Sequence, residues 1–324
     1  MEVLPITIEE IPTIEKDIAD DFFILAASWE QRCLGAAQRF GQYKCTTVAM
    51  IEYDGVNVQR EENIKTLTPL LEKVGQLEPI MAEHDVPILN VRKIVSMIQS
   101  QTHGRMPRLT IDISTFTRKH LLQLIQGLDM ASLLGNCQFL YTEPQDYPTE
   151  DNEPISHGIS SVEAVPTLTG VNYASQDTVL VLFLGYEGRR ALALYEHLEP
   201  NITIAIIPRP PYHPQWIGRT EAQNKFLLSS IPRENVYYTH SLNPTDTETF
   251  LTNLVKGERL NAATYNFMIA PMGTKAQTLG IYRFWRKNSQ LATIMYASPV
   301  GYKEKKHPYA PGRTWLVDHT REWK

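Results

Sequence analysis

The chain repeats itself in order about half a chain length apart, and this confines it to folds that can be built twice. Ser28-Trp29-Glu30-Gln31-Arg32 returns as Gly185-Tyr186-Glu187-Gly188-Arg189, an offset of 157 from Ser28 to Gly185, and Thr117-Arg118 returns as Thr274-Lys275 at the same offset of 157. Leu140-Tyr141-Thr142-Glu143-Pro144 returns as Met295-Tyr296-Ala297-Ser298-Pro299 at 155, each with a tyrosine three residues on, Tyr147 and Tyr302. Two unrelated coincidences would not share an offset, and the slightly smaller one needs only a short deletion in a loop. The pattern implies two copies of one unit, residues 1–160 and 161–324, with any site at matching positions occurring twice around a pseudo-two-fold axis. With 324 residues, 43% of them hydrophobic, each half is large enough for its own core.

The elements of the unit follow from apolar patterning. Residues 22–27 and 46–53 are short apolar runs of the kind buried on both faces of a parallel sheet, and residues 59–75 read as a helix ending near Gly75. Ser28 is expected to cap a helix starting near Trp29. A third strand is expected at 86–91, a helix through 94–101, a strand at 109–113, a helix at 117–134 and a strand at 138–142. The second half has strands at 178–184, 202–207, 264–270 and 292–297, while residues 143–176, rich in Pro, Ser, Thr and acidic residues, read as a boundary or long crossing loop. Strands alternating with helices predict an α/β fold of two Rossmann-like units with parallel sheets, related by internal duplication.

Charge and special residues narrow the function classes. A formal charge of −5 argues against a bulk nucleic-acid binder, and the acidic N-terminal stretch has neither the basic start nor the apolar run of a secretory signal. No stretch approaches the roughly 20 apolar residues of a membrane span, so a cytoplasmic protein is expected. Cys33, Cys45 and Cys137 lack metal-type spacing and read as buried structural thiols; neither a metal nor a cofactor is indicated.

In an open parallel sheet, ligands bind beyond the carboxyl ends of the strands, where loops turn into helices with unpaired N–H groups. Both repeated motifs fall there. Gly185 and Gly188 let the backbone approach a ligand closely, beside Arg189 and Arg190, although Gly-Tyr-Glu-Gly-Arg-Arg is neither a dinucleotide fingerprint nor a Walker loop. Glu30 with Arg32, and Glu187 with Arg189, read either as ligand contacts or as helix-start carboxylates in ion pairs. The second motif, Asp112-Ile113-Ser114-Thr115-Phe116-Thr117-Arg118, presents hydroxyls, a carboxylate and a cation in one turn; its counterpart is Pro271-Met272-Gly273-Thr274-Lys275. A hydroxyl and a cation beside a helix N-terminus suit a phosphate or ribose oxygen, and Ser114 or Thr117 acting as a plain helix cap is the other reading.

This second motif resembles the ligand loop of CRISPR-associated Rossmann-fold sensor (CARF) domains and of the related SAVED domains, which fuse two such units. The resemblance is carried by Asp112, Ser114, Thr117 and Arg118 in the first half and by Gly273, Thr274 and Lys275 in the second. The sequence departs from the pattern at Thr115-Phe116, where glycines are expected, and at Ile269 and Pro271, where the acid and hydroxyl should stand. Such domains sense cyclic oligonucleotides in bacterial immunity, binding them across a two-fold or pseudo-two-fold axis. The resemblance thus implies a nucleotide-type ligand for this chain, in a regulatory subunit of antiviral defence whose effector is a separate protein.

Other features stand beside these. Arg190 and His197 have a spacing some ribonucleases use, but within one helix of the second unit. Tyr212 and Trp216 lie in a proline-rich loop and suit either base stacking or packing. Lys303, Lys305, Lys306, His307, Tyr309, Arg313 and Trp315 form a basic, aromatic cluster that reads as an anion-covering segment or as a solvated one. Two function classes remain open: a nucleotide or cyclic-oligonucleotide sensor, binding through Ser28, Arg32 and the residues above, and an enzyme acting on a nucleotide or phosphosugar with Glu30 or Glu187 as general acid/base.

Overall fold

The computed structural model describes residues 8–83, 86–146, 156–213, 216, 218–302 and 310–319. It divides into two compact units, Met1–Pro148 with Lys306–Lys324, and Thr149–Lys305. In the first unit a short β1 (Glu9–Glu10) precedes β2 (Asp20–Ala27), β3 (Cys45–Tyr53), α1 (Val58–Glu72), β4 (Gln76–Ala82), α2 (Pro87–Thr102), β5 (Leu109–Asp112), α3 (Arg118–Met130) and β6 (Cys137–Pro144). Strands β2 to β6 pair in parallel in the order β6-β5-β2-β3-β4. The central β2, Asp-Asp-Phe-Phe-Ile-Leu-Ala-Ala, is buried on both faces, as its unbroken apolar run requires.

The structure revises two local expectations. Residues 86–91 do not form the third strand; Pro87 opens α2, and the strand lies earlier at Gln76–Ala82. Pro79 hides that strand in the sequence, yet is tolerated because β4 is the sheet edge, where a missing N–H costs no ladder bond. Nor does Ser28 cap an α-helix: two 3₁₀ turns, Gln31–Leu34 and Ala37–Arg39, follow β2, and the Ser28 hydroxyl accepts a bond from the Glu30 N–H at 3.2 Å.

The second unit begins with β7 (Ser156–His157) and β8 (Ser161–Ala164) and continues with β9 (Asp177–Phe183), α4 (Gly188–Leu198), β10 (Ile202–Pro208), α5 (Arg219–Gln223), α6 (Lys225–Ser229) and β11 (Val236–Thr239). It closes with α7 (Pro244–Val255), β12 (Tyr265–Pro271), α8 (Lys275–Lys287), β13 (Ala292–Ser298) and β14 (Gly301–Tyr302). Its parallel strands run β11-β10-β9-β12-β13. When each unit's parallel strands are counted in chain order, both sheets read 3-2-1-4-5, the order of the Rossmann half that carries the crevice between strands 1 and 4.

Each sheet is completed beyond its fifth parallel strand by an antiparallel one, and the two are exchanged along the chain. β8 follows β6 in sequence but lies on β13, while β15 (Pro311–His319) follows β13 but lies on β6. Within the first unit β15 is fastened by side chains: Arg313 Nε donates to Glu143 Oε1 at 2.6 Å, Trp315 Nε1 to Glu143 Oε2 at 3.1 Å, and the Thr142 and Thr314 hydroxyls meet at 2.9 Å. Arg313 and Trp315, read from sequence as part of a basic cluster, are therefore strand residues; Lys303, Lys305, Lys306, His307 and Tyr309 lie outside the described residues, as does Tyr147.

Candidate functional site

The carboxyl edge of the first sheet is built by the turns after β2 and β5. Arg32, 6% exposed, folds back on Glu30, donating from Nε and Nη2 to Oε2 at 3.0 and 2.5 Å. Its Nη1 donates to the Tyr141 hydroxyl in β6 at 3.1 Å. The Ser28 carbonyl accepts from Asn63 Nδ2 at 2.8 Å. Glu30, Arg32 and Tyr141 thus bind the turn after β2 to β6, two strands away in the sheet.

Asp112 and Ser114 are buried. The Ser114 N–H donates to Asp112 Oδ1 at 3.0 Å, its hydroxyl also donates to Oδ1, and the same hydroxyl accepts from the Thr142 N–H at 2.7 Å. Thr115 donates to the Ala26 carbonyl at 2.6 Å, drawing the turn after β5 against the end of β2. Thr117 caps α3, its hydroxyl accepting from the His120 N–H at 3.2 Å, while its own N–H donates to the Tyr53 hydroxyl at 3.1 Å. That hydroxyl stands 3.0 Å from His120 Nδ1. The imidazole is fully buried, so Tyr53 links the cap of α3 to the ring two bonds away. Arg118, half-buried, is the first helical residue, and the buried Lys119 is the second.

In the second unit the turn after β9 is held by close backbone contact. A Cβ on Gly185 would sit 2.5 Å from the Met272 carbonyl oxygen, and one on Gly188 would sit 2.1 Å from that of Gln223, so neither position admits a side chain without displacing backbone. Glu187 pairs with Arg190 rather than with Arg189, which is exposed. Arg190, 1% exposed, donates from Nε and Nη2 to the Ala297 carbonyl at 3.0 and 2.5 Å and lies over the Tyr296 ring at 5.2 Å. Burial opposes its charge, but Glu187 and Tyr296 outweigh that, so its proton is held more tightly than usual. His197 sits exposed in the last turn of α4. Glu187, Arg190 and Tyr296 therefore form the same carboxylate, arginine and tyrosine grouping as Glu30, Arg32 and Tyr141.

The turn after β12 is a capping box. The Thr274 hydroxyl accepts from the Gln277 N–H at 3.0 Å and the Thr274 N–H donates to Gln277 Oε1 at 2.9 Å. Gln277 Nε2 reaches the Thr239 hydroxyl at 2.9 Å, and the Thr274 hydroxyl donates to the Ser241 carbonyl at 2.6 Å. Lys275, 9% exposed, is the first helical residue, as Arg118 is in the first unit, and a Cβ on Gly273 would meet Gln277 Oε1 at 2.2 Å. His120 and Gln277 occupy the same third helical position, and each links its cap to the end of a strand further along the sheet, β3 at Tyr53 and β11 at Thr239. Tyr141, Tyr296, His120 and Gln277 are participants that the motif reading did not assign to the site, and Arg190, noted there beside Arg189, takes the pairing with Glu187 that the reading gave to Arg189; the two tyrosines stand inside its third repeat.

Within each unit the structure gathers the named residues at one sheet edge. Ser28, Glu30, Arg32, Asp112, Ser114, Thr117 and Arg118 belong to the turns after β2 and β5, and Gly185, Glu187, Gly188, Arg189, Gly273, Thr274 and Lys275 to those after β9 and β12. Among the described residues no three His, Cys, Asp or Glu side chains come together as a metal would need, and no helix is long and apolar enough to cross a membrane.

No family model matches the chain, and no curated protein matches it. Among solved structures it is similar to Can2 from Sulfobacillus thermosulfidooxidans in complex with cyclic tetra-adenylate, at 11% identity over 38% of this chain and 32% of that one, with a TM-score of 0.26. It is also similar to the cytoplasmic domain of a prokaryotic cation chloride cotransporter, at 11% identity over 89% of this chain and 98% of that one, with a TM-score of 0.25. Likenesses with such TM-scores carry no argument, and function has to be argued from the site.

Proposed function

We propose that the chain is a sensor or regulatory subunit that recognises a nucleotide or cyclic oligonucleotide at the carboxyl ends of its two sheets. In this reading it descends from a duplicated Rossmann-like unit and works in the cytoplasm in bacterial antiviral defence, with the effector on a separate protein. The observation that carries the reading is the matched pair of capped turns: Thr117 with Arg118 and Thr274 with Lys275 each set a cation at the first position of a helix after the fourth strand. A helix N-terminus with an adjacent fixed cation favours phosphate, and the third-position side chains hold both turns in place before any ligand arrives.

Calorimetric titration of mono-, di- and cyclic nucleotides, cyclic tetra-adenylate among them, tests it. Lys275→Ala should weaken binding by about 1.5–3 kcal/mol, roughly ten- to hundredfold, as for a charge-assisted bond. Arg118→Ala should act in the same direction. Absence of binding by the unaltered protein across the panel would sink the proposal. The alternative, an enzyme using Glu30 or Glu187 as general acid/base, is less supported because each carboxylate is closed onto a buried arginine that ties it into the fold. Chromatography after overnight incubation should accordingly return the nucleotide intact.

A further inference from the structure

The second unit carries another set of cations and rings at its carboxyl edge, on the strands away from the Thr274 turn. Tyr186 follows β9, Arg209 follows β10, Tyr238 lies in β11, and Arg219 opens α5, which packs on β10. The Arg219 guanidinium lies over the Tyr186 ring at 4.9 Å, and that of Arg209 over Tyr238 at 4.8 Å. The Arg209 N–H also donates to the Thr239 carbonyl at 2.8 Å, which fixes the root of its side chain beside β11.

Tyr186 is supported from behind. Trp216, 3% exposed, meets its ring edge-on at 6.1 Å, and the turn that bears Tyr186 is pinned where Asn224 Nδ2 donates to the Gly185 carbonyl at 2.8 Å. Arg209 is exposed, Tyr238 is 47% exposed, and Arg219 and Tyr186 are half-buried, so both pairs face solvent on one side and rest on the fold on the other. A guanidinium backed by a ring offers a flat outer face on which a base can stack, and its in-plane N–H groups match two phosphate oxygens.

We propose that these two pairs form a base-and-phosphate subsite, with Arg219 on Tyr186 stacking one nucleobase of the ligand and Arg209 on Tyr238 holding the phosphate joined to it. The inference rests on the nucleotide reading above and extends it: the ligand is recognised by its base as well as its phosphate, and it reaches across the first three strands of the second sheet.

The experiment titrates AMP, the dinucleotide pApA and ribose 5-phosphate into the unaltered protein and its Arg219→Ala, Tyr186→Leu, Arg209→Ala and Lys275→Ala variants, with circular dichroism confirming each fold. Arg219→Ala and Tyr186→Leu should each weaken pApA about tenfold, the scale of one lost stack, and leave ribose 5-phosphate unchanged. Arg209→Ala should weaken both. Photolabelling with 8-azido-AMP should mark peptides containing Tyr186 or Tyr238. Unchanged pApA affinity in Arg219→Ala and Tyr186→Leu, while Lys275→Ala still weakens it, would overturn the subsite and leave the sensor reading standing; labelling confined to other peptides would do the same. No binding of any probe by the unaltered protein removes both.

Discussion

Glu187 closes on Arg190, three residues further on, and leaves Arg189 in solvent. The matching pair in the first unit, Glu30 with Arg32, spans one residue fewer because the chain there follows a 3₁₀ turn instead of an α-helix. The shorter turn changes which arginine comes round to the carboxylate, so an alignment by offset pairs Arg32 with Arg189 whereas the fold pairs it with Arg190. In both units the arginine then reaches the fifth parallel strand, at Tyr141 or at Ala297.

The first prediction separates the two neighbouring arginines. Arg190→Ala should lower the stability of the second unit by about 3–5 kcal/mol, because Glu187 and the Ala297 carbonyl lose a buried charged partner together. Arg189→Ala should leave stability within about 0.5 kcal/mol of the parent. Urea denaturation of both variants is the measurement, and equal midpoints would refute the assignment.

A second prediction concerns the third helical position of α3. His120→Gln, which borrows the residue used at Gln277, should retain stability far better than His120→Leu, which removes the hydrogen-bond partner of the buried Tyr53 hydroxyl at a cost of about 1–3 kcal/mol. Urea denaturation of the two variants is the measurement. Equal midpoints for the two would count against the link from Thr117 through Tyr53 to His120.

The third concerns pH. His240 accepts from the Leu242 N–H on Nδ1 at 3.1 Å, a bond that only the unprotonated nitrogen can make, and its partial burial holds its pKa below the usual 6.5 despite the nearby Asp246. The unfolded chain therefore binds this proton more readily than the folded one. Its contribution to stability is complete above 6.5 and is lost as the pH falls through the lower folded value. Denaturation midpoints followed from about pH 8 to about pH 5 should fall more in the parent than in His240→Asn; parallel curves would count against it.

The parallel cores were legible because strands buried on both faces must be apolar throughout, as in residues 22–27 and 202–207. The edge strand β4 was not, since its place at the sheet margin lets it carry Pro79 and an exposed Met81, which break the apolar pattern. At the site, Thr117 and Thr274 announced themselves as caps followed by cations. Their anchors, Tyr53, Thr239 and Ser241, come from other strands and turns, and no spacing along the chain encodes contacts of that range. Asp112 and Ser114 were legible as a polar pair, but the sequence does not disclose that they face each other and the Thr142 N–H within the fold.

The position of β15 sets an order on biosynthesis. The sheet of the first unit lacks its cover on β6 until Pro311–His319 has left the ribosome, and between Pro144 and Pro311 the whole second unit must be made. At about 5–20 residues per second the nascent β6 edge waits on the order of ten seconds with its outward N–H and C=O groups unpaired. During that interval the newborn chain presents a strand-shaped vacancy that a chaperone, or the β6 edge of a neighbouring nascent chain, could occupy before its own C-terminal strand arrives.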